Sequence, residues 1–256
     1  SNLVERSESD NGMYIALINK ILKNKKYFKN FKRKPVYRQI LEHVTYIQGY
    51  NYLEIIARDN SELINNINLY LENDNYGKPI RFYYSKIKKF ISPTTLRYIK
   101  IVSDIKKFFG NNFHGNICEI GSGYGGQYLL LDKTFKIRNY TIIDLPEVNK
   151  LIEQYLTFFS IKSNYFTTTI EDCDDRDYDF FISNYSFSEL PKKLQRICLK
   201  KIISKCKHGY MIMNSGKSNS VYQNHISLNE IKDYLPGLKT IAEEPLTHEG
   251  NYTIIW

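Results

Sequence analysis

The sequence predicts an α/β protein: a helical N-terminal region followed by a seven-stranded, mostly parallel sheet with an antiparallel last strand. Three observations predict it. Apolar residues recur at helical spacing before residue 113. After Gly115, short apolar runs alternate with helix-period segments, the pattern of a doubly wound sheet covered on both faces. The last two runs, Thr240–Glu244 and Tyr252–Trp256, lie too close for a helical crossover and must pair antiparallel. The expected organisation is a helical region over residues 1–110 and a ligand-binding sheet domain over residues 111–256.

In chain order, Met13, Ile15, Ile18, Ile21 and Leu22 share a helix face. Val36, Ile40, Leu41, Val44, Ile47, Leu53 and Ile56 form further faces. Ser61 to Leu71 reads as a helix with Ser61 at its N-cap. Residues 73–79, with Gly77 and Pro79, make a turn-rich break. Ser92 then caps a helix with Pro93 at its first position, running to about Phe109. Strands follow at Asn116–Ile120, Tyr140–Ile143, Tyr165–Thr169, Asp179–Ser183 and Tyr210–Met213. The helices between them start at Gly126, Val148 and Pro191, the last reaching Cys206. Ser227 and Glu230 read as the capping box of a helix ending at Leu235.

Composition excludes several classes. The chain has 256 residues, 42% hydrophobic and 25% charged, which is ordinary for a globular protein. No apolar run approaches the roughly 20 residues of a membrane span, and no secretion signal is expected at the start. Four cysteines without a CxxC pair argue against a zinc site or a disulfide scaffold, so a cytoplasmic location is expected. The net charge is +9, and nine cations from Lys20 to Arg38 fall within 19 residues that hold no acid. That run reads either as a polyanion-binding patch or as a solvated helix face. No aromatic pattern organises it as in nucleic-acid modules.

Ligands of such sheets bind beyond the carboxyl ends of the strands. There, Glu119-Ile120-Gly121-Ser122-Gly123-Tyr124-Gly125-Gly126-Gln127 follows a strand and opens a helix. Its glycines allow a tight turn and close backbone approach to a ligand. Gly121, Gly123 and Gly126 also satisfy GxGxxG, so a dinucleotide must be weighed. Glu119 suits a cofactor with a cationic amino group better than one with a pyrophosphate. Asp144 ends the next strand, where a carboxylate can accept from both ribose hydroxyls. Together with the antiparallel hairpin, these features point to S-adenosylmethionine over a nicotinamide cofactor. Asp172, or its neighbour Glu171, is the candidate partner of the adenine amine. Ser183 and Asn184 are placed near the methionine part.

Four ordered segments resemble a family of sugar O-methyltransferases, which belong to the class I S-adenosylmethionine-dependent enzymes. They are Ile91–Tyr98, Glu119–Gln127, Ile143-Asp144-Leu145-Pro146-Glu147 and Ser183–Pro191. The similarity covers residues 77–256 well and 36–56 loosely, and leaves 1–35 unmatched. It implies a Rossmann-like methyltransferase sheet, with Leu145 beside Asp144 in the ribose motif. It also implies methyl transfer to a hydroxyl of a sugar-containing acceptor: a glycan, a nucleotide sugar or a glycosylated metabolite.

A proton acceptor would help a sugar hydroxyl attack. His225 and His248 lie in loops on the cofactor side, and Glu189 follows the fourth strand. His225 ranks first, because an imidazole is a suitable base near neutral pH. Ser92 and Arg97 sit on a helix that can fold over the cofactor and meet its carboxylate. Some sugar methyltransferases use a divalent metal, but no acid–histidine cluster marks one here, and none is predicted. Two rival readings remain. One is an RNA or DNA methyltransferase using the basic segment on phosphates, although residues 183–186 lack the Asn-Pro-Pro-aromatic pattern of base-amino enzymes. The other is a binding module that retains the fold without the chemistry.

Overall fold

The computed structural model describes residues 12–214 and 225–256. The N-terminal region is helical: α1 (Gly12–Lys23), α2 (Lys25–Lys29), α3 (Pro35–Ile40), α4 (Tyr46–Asp59) and α5 (Ser61–Asn65). A hairpin of β1 (Phe82–Tyr84) and β2 (Lys89–Ile91) leads into α6 (Pro93–Phe109). The sheet strands are β3 (Gly115–Ile120), β4 (Ile137–Ile143), β5 (Asn164–Thr168), β6 (Tyr178–Asn184), β7 (Cys206–Met213), β8 (Lys239–Ala242) and β9 (Tyr252–Ile255). Between them run α7 (Gly126–Thr134), α8 (Pro146–Leu156), α9 (Lys192–Lys201) and α10 (Leu228–Tyr234).

The spatial order is β5-β4-β3-β6-β7-β9-β8. All neighbours run parallel except β7·β9 and β8·β9. This is the seven-stranded, Rossmann-like methyltransferase sheet that the sequence predicts. The chain leaves β3 in opposite directions across the sheet, towards β4 and later towards β6. The carboxyl ends of β3 and β6 therefore form the switch point, where such sheets bind ligands.

Burial explains why these segments fold as they do. β3 and β6 are inner strands, and Ile117, Cys118, Phe180, Phe181 and Ile182 are fully buried. One apolar core joins Ile18, Ile21, Tyr37, Leu53 and Ile56 of the helical region to Ile117, Tyr140 and Leu151 of the sheet region. In α6 the Ser92 hydroxyl accepts from the Thr95 amide and Pro93 fills the first position. Apolar residues on both sides of that helix are buried, because it lies between α4 and the sheet layer.

Several elements differ from the sequence reading. The segment from Ser61 does not continue as an α-helix to Leu71. It stops at Asn65, where the Asn65-Asn66 pair breaks the period, and short 3₁₀ turns follow. Its cap position is Asn60, whose side-chain amide donates instead to the Ser103 carbonyl and hydroxyl. Pro191 is the N-cap of α9, not its first residue, and the helix ends at Lys201. A 3₁₀ turn at Ile203–Lys205 then lets Ile202, Ile203 and Cys206 all face inward, and Cys206 already belongs to β7. Ser227 caps α10, but the Glu230 carboxylate turns to Arg196, so the box is half made. Met13 and Ile47 are exposed despite their helix-face spacing. The β1–β2 hairpin was not anticipated.

Candidate active site at the switch point

The turn after β3 is shaped by left-handed glycines, with Gly121 at φ 78° and Gly123 at φ 59°. A Cβ at Gly121 would collide with the Ser186 side chain, which would have to move to admit it. A Cβ at Gly123 would stand 3.6 Å from the nearest atom, on Leu41.

Two acids bracket this turn, and Ser122 ties them together. Its hydroxyl donates to Glu119 Oε1 at 2.8 Å, and its amide donates to Asp144 Oδ2 at 3.0 Å. Tyr140 also donates to Glu119 Oε1, at 2.8 Å, and the Leu145 amide holds Asp144 Oδ1 at 2.8 Å. Glu119 is buried, and that burial pushes its carboxyl up to about 8. The Ser122 and Tyr140 hydroxyls act against the rise, while the neighbouring Asp144 adds to it. A cation placed here would favour the ionised form.

Two nearby acceptors want a donor. Asn184 Oδ1, at the end of β6, and Gln127 Oε1, in the first turn of α7, are buried with no hydrogen-bond partner among the described residues. The Gln127 amide nitrogen is already committed to the Tyr98 carbonyl. A carboxyl that gains from a cation, an acid at the next strand end and two unpartnered acceptors fit a ligand with an amino group and ribose hydroxyls. The donor set therefore fits S-adenosylmethionine.

The other predicted residues are spread around this end. Asp172 is exposed in the loop after β5. The Ser92 hydroxyl is taken up in an N-terminal cap, donating to Asp74 and accepting from the Thr95 amide. Arg97 donates to the Tyr52 hydroxyl, with its guanidinium 5.1 Å from the centre of the Tyr185 ring. Glu189 accepts from the Asn214 amide at 3.1 Å. His248 lies in the β8–β9 turn, on the same end of the sheet because Tyr252 pairs with Met213. His225 lies two residues before Ser227, the cap of α10, and is partly exposed. All three candidate proton acceptors thus share the carboxyl end of the sheet. Among the described residues, no group of three or more His, Cys, Asp or Glu side chains is placed to hold a metal ion. No described helix is long and apolar enough to cross a membrane.

Sequence reasoning missed three features. Tyr185 sits just past β6 at φ 61°, a conformation that costs a non-glycine residue about 1–2 kcal/mol and that Lys78 and Lys88 also adopt. Its hydroxyl donates to Glu243 and its amide to the Ile212 carbonyl. The second feature is Lys32. Of the nine cations in the basic run, one is held inward by aromatic residues, and the other eight are exposed or half-buried, as a solvated face requires. Lys32 is 1% exposed and donates to the Asn73 carbonyl and the Tyr155 hydroxyl. Its ammonium lies 4.2 Å from the Tyr124 ring centre and 4.9 Å from that of Tyr155. Burial lowers it to about 8, against the pull of Glu42 and Asp74. The alternation of Phe28, Phe31 and Tyr37 with the cations was the available signal. The third feature is Glu42, raised by burial to about 7 despite nearby Lys32 and the Thr94 and Tyr124 hydroxyls.

No protein-family model and no curated protein matches the sequence. Solved structures do match. An S-adenosylmethionine-dependent methyltransferase from Clostridium acetobutylicum is 11% identical, over 60% of this chain and 87% of that one, with a TM-score of 0.46. The methyltransferase domain of bacterial CtHen1 is 14% identical, over 62% of this chain and 96% of that one, with a TM-score of 0.46. A DhpI complex with SAM is 13% identical, over 62% of this chain and 87% of that one, with a TM-score of 0.43.

Proposed function

We propose that the protein transfers a methyl group from S-adenosylmethionine to a hydroxyl of a sugar-containing acceptor. One observation carries the cofactor: Ser122 links Glu119 and Asp144 across a left-handed glycine turn at the sheet's switch point. Glu119 would face the cationic amino group, joined by the unpartnered Asn184 Oδ1. Asp144, oriented by the Ser122 and Leu145 amides, would accept from the ribose hydroxyls. Gly121, Gly123 and Gln127 line the turn, and Asp172 would meet the adenine. Arg97 would approach from α6, whereas the expectation that Ser92 meets the cofactor does not fit its hydroxyl, which is taken by Asp74 and the Thr95 amide. Bound there, the sulfonium supplies an electrophilic methyl group.

The acceptor side rests on the resemblance to sugar O-methyltransferases and on the acid–imidazole set at this end. His225 is the first choice for holding the hydroxyl proton, followed by His248 and Glu189. Lys32 points inward and is lost to any nucleic-acid surface, while the other eight cations of the run stay exposed or half-buried.

Calorimetric titration with S-adenosylmethionine and separately with NAD, repeated with Asp144→Ala, tests the cofactor. Micromolar S-adenosylmethionine binding, lost in the variant and not matched by NAD, is the expected outcome. Binding of NAD alone would return the glycine turn to a dinucleotide role.

A further inference from the structure

A cavity of about 250 Å³ lies outside the set of residues described for the cofactor. It is formed where the loop between α3 and α4 meets the N-terminus of α6. Its volume equals about eight waters at roughly 30 Å³ each, room for a ligand of monosaccharide size. The place is suggestive because Leu41 packs over Gly123 of the cofactor turn, and Glu42 is the next residue. The Tyr124 hydroxyl, inside that turn, supports the Glu42 carboxylate.

The lining is unbalanced in charge. Two cations, Lys32 and Arg38, face a single acid, Glu42, while burial lowers the His43 imidazole to about 4 and leaves it uncharged at neutral pH. Lys32 is occupied by its aromatic cage, the Asn73 carbonyl and the Tyr155 hydroxyl. Arg38 is exposed, and its guanidinium makes no side-chain ion pair or hydrogen bond among the described residues. Pro93 and Thr94 also line the cavity, so the positive end of the 17-residue α6 is directed at it. Tyr46 and Phe82 supply an apolar wall. Glu42 Oε1 is buried without a hydrogen-bond partner among the described residues, leaving the carboxylate an acceptor for a hydroxyl.

We propose that this cavity takes the acceptor, and that the acceptor is a saccharide bearing an anionic substituent. Arg38 and the α6 N-terminus hold the anion, Tyr46 and Phe82 face the ring, and Glu42 accepts from a ring hydroxyl. The inference deepens the proposed sugar O-methylation and rests on it. A phosphate ester and a uronic carboxylate share this chemistry.

The test titrates the full chain, with and without saturating S-adenosylhomocysteine, against hexose 1-phosphates, hexuronates, neutral methyl hexosides and inorganic phosphate. An anionic sugar is expected to bind with a dissociation constant below about 1 mM. The uncharged hexoside should bind at least roughly tenfold more weakly, and Arg38→Ala should weaken the anionic sugar by about tenfold or more. S-adenosylhomocysteine affinity should not change in Arg38→Ala, and Lys20→Ala should bind both ligands normally. Tighter binding of the phosphates or of the uronates identifies the source of the charge. Equal binding by Arg38→Ala, equal binding of the neutral hexoside, or no sugar binding alongside normal S-adenosylhomocysteine binding overturns the inference. Inorganic phosphate binding as tightly as the sugar phosphates removes its saccharide part. Failure of S-adenosylhomocysteine itself to bind sinks the cofactor reading instead, while the titrations without it still score the cavity.

Discussion

The glycine turn and the cage around Lys32 each bury an ionisable group, an acid in one and a base in the other, and they do it by different means. Glu119 is served by residues close in sequence, Ser122 within its own turn and Tyr140 on the adjoining strand. Lys32 is served from far along the chain, by Asn73, Tyr124 and Tyr155. The turn is therefore a more local device, set by its own residues and by Tyr140 and Asp144 of the adjoining strand and its end. The cage exists only when the helical region, the cofactor turn and α8 are assembled. A change in the turn should act mainly on ligand binding and local strain. A change in the cage should act on the assembly of the cap over the site.

The largest effect follows from removing the caged charge. Lys32→Ala leaves Glu42 and Asp74 without their buried cation, and loss of one partner of a buried charge set costs about 3–5 kcal/mol. Lys20→Ala, on the exposed part of the same basic run, should stay within about 0.5 kcal/mol. Urea denaturation of the two variants separates the cage from a merely solvated run. Similar midpoints would mean that Lys32 organises nothing.

Gly121→Ala should come next. A left-handed alanine costs about 1–2 kcal/mol by itself, and its Cβ must also displace the Ser186 side chain. Gly123→Ala carries the strain without the clash, so it should destabilise less. The double variant Gly121→Ala, Ser186→Gly should recover the clash part and keep the strain part. No recovery would show that the turn, rather than its contact with the β6 loop, sets the requirement.

The same contrast explains what was readable in the sequence. The order of strands and helices was legible because each element carries its own period and caps, as with Ser92 and Pro93 before α6. Glu119, the glycines and Asp144 were legible as candidates because one strand–turn–helix unit and the end of the next strand hold them all. The cage and the cavity were not, since Lys32, Asn73, Tyr124 and Tyr155 come together only in three dimensions. Charge alone sends the basic run outward, which holds for eight of its nine cations, and only the interleaved aromatic residues mark the inward one, Lys32. Tyr185 was illegible for another reason: its left-handed backbone is imposed by Glu243, Ile212 and Arg97, not by its own residue type.

A pH experiment sharpens the comparison further. Glu42 titrates near 7 in the fold against 4.5 unperturbed, and Glu119 near 8. Between about pH 4.5 and 8 these two carboxyls therefore bind more protons in the folded chain than in the unfolded chain, so their contribution to stability falls as pH rises, while His43, lowered by burial to about 4, acts the other way below about pH 6.5. The stabilising contribution is complete below pH 4.5 and lost above about 8. The decline should be of the order of several kcal/mol across the window, with Glu119 contributing the larger share. Glu42→Gln should remove the share belonging to the cap, and Glu119→Gln the share belonging to the turn. Urea midpoints at pH 5 and pH 8 measure both, and a Glu42→Gln profile as steep as the parent's would place the titration elsewhere.

The smallest effect tests whether caps in the two regions do the same job. Thr45 closes a full capping box on α4, with its hydroxyl accepting from the Gln48 amide and the Gln48 side chain accepting from the Thr45 amide. The box is exposed, so Thr45→Ala should cost about 1 kcal/mol and leave cofactor binding alone. Ser92 caps α6 with the same geometry, but its hydroxyl also donates to buried Asp74, which in turn accepts from the Ser92 amide and the Thr95 hydroxyl. Ser92→Ala deprives a buried carboxylate of a donor as well as a helix of its cap, so it should cost more than Thr45→Ala by about 1–3 kcal/mol. Equal losses in the two variants would mean that Asp74 is satisfied without Ser92, and that the cap over the site is held by the Lys32 cage alone.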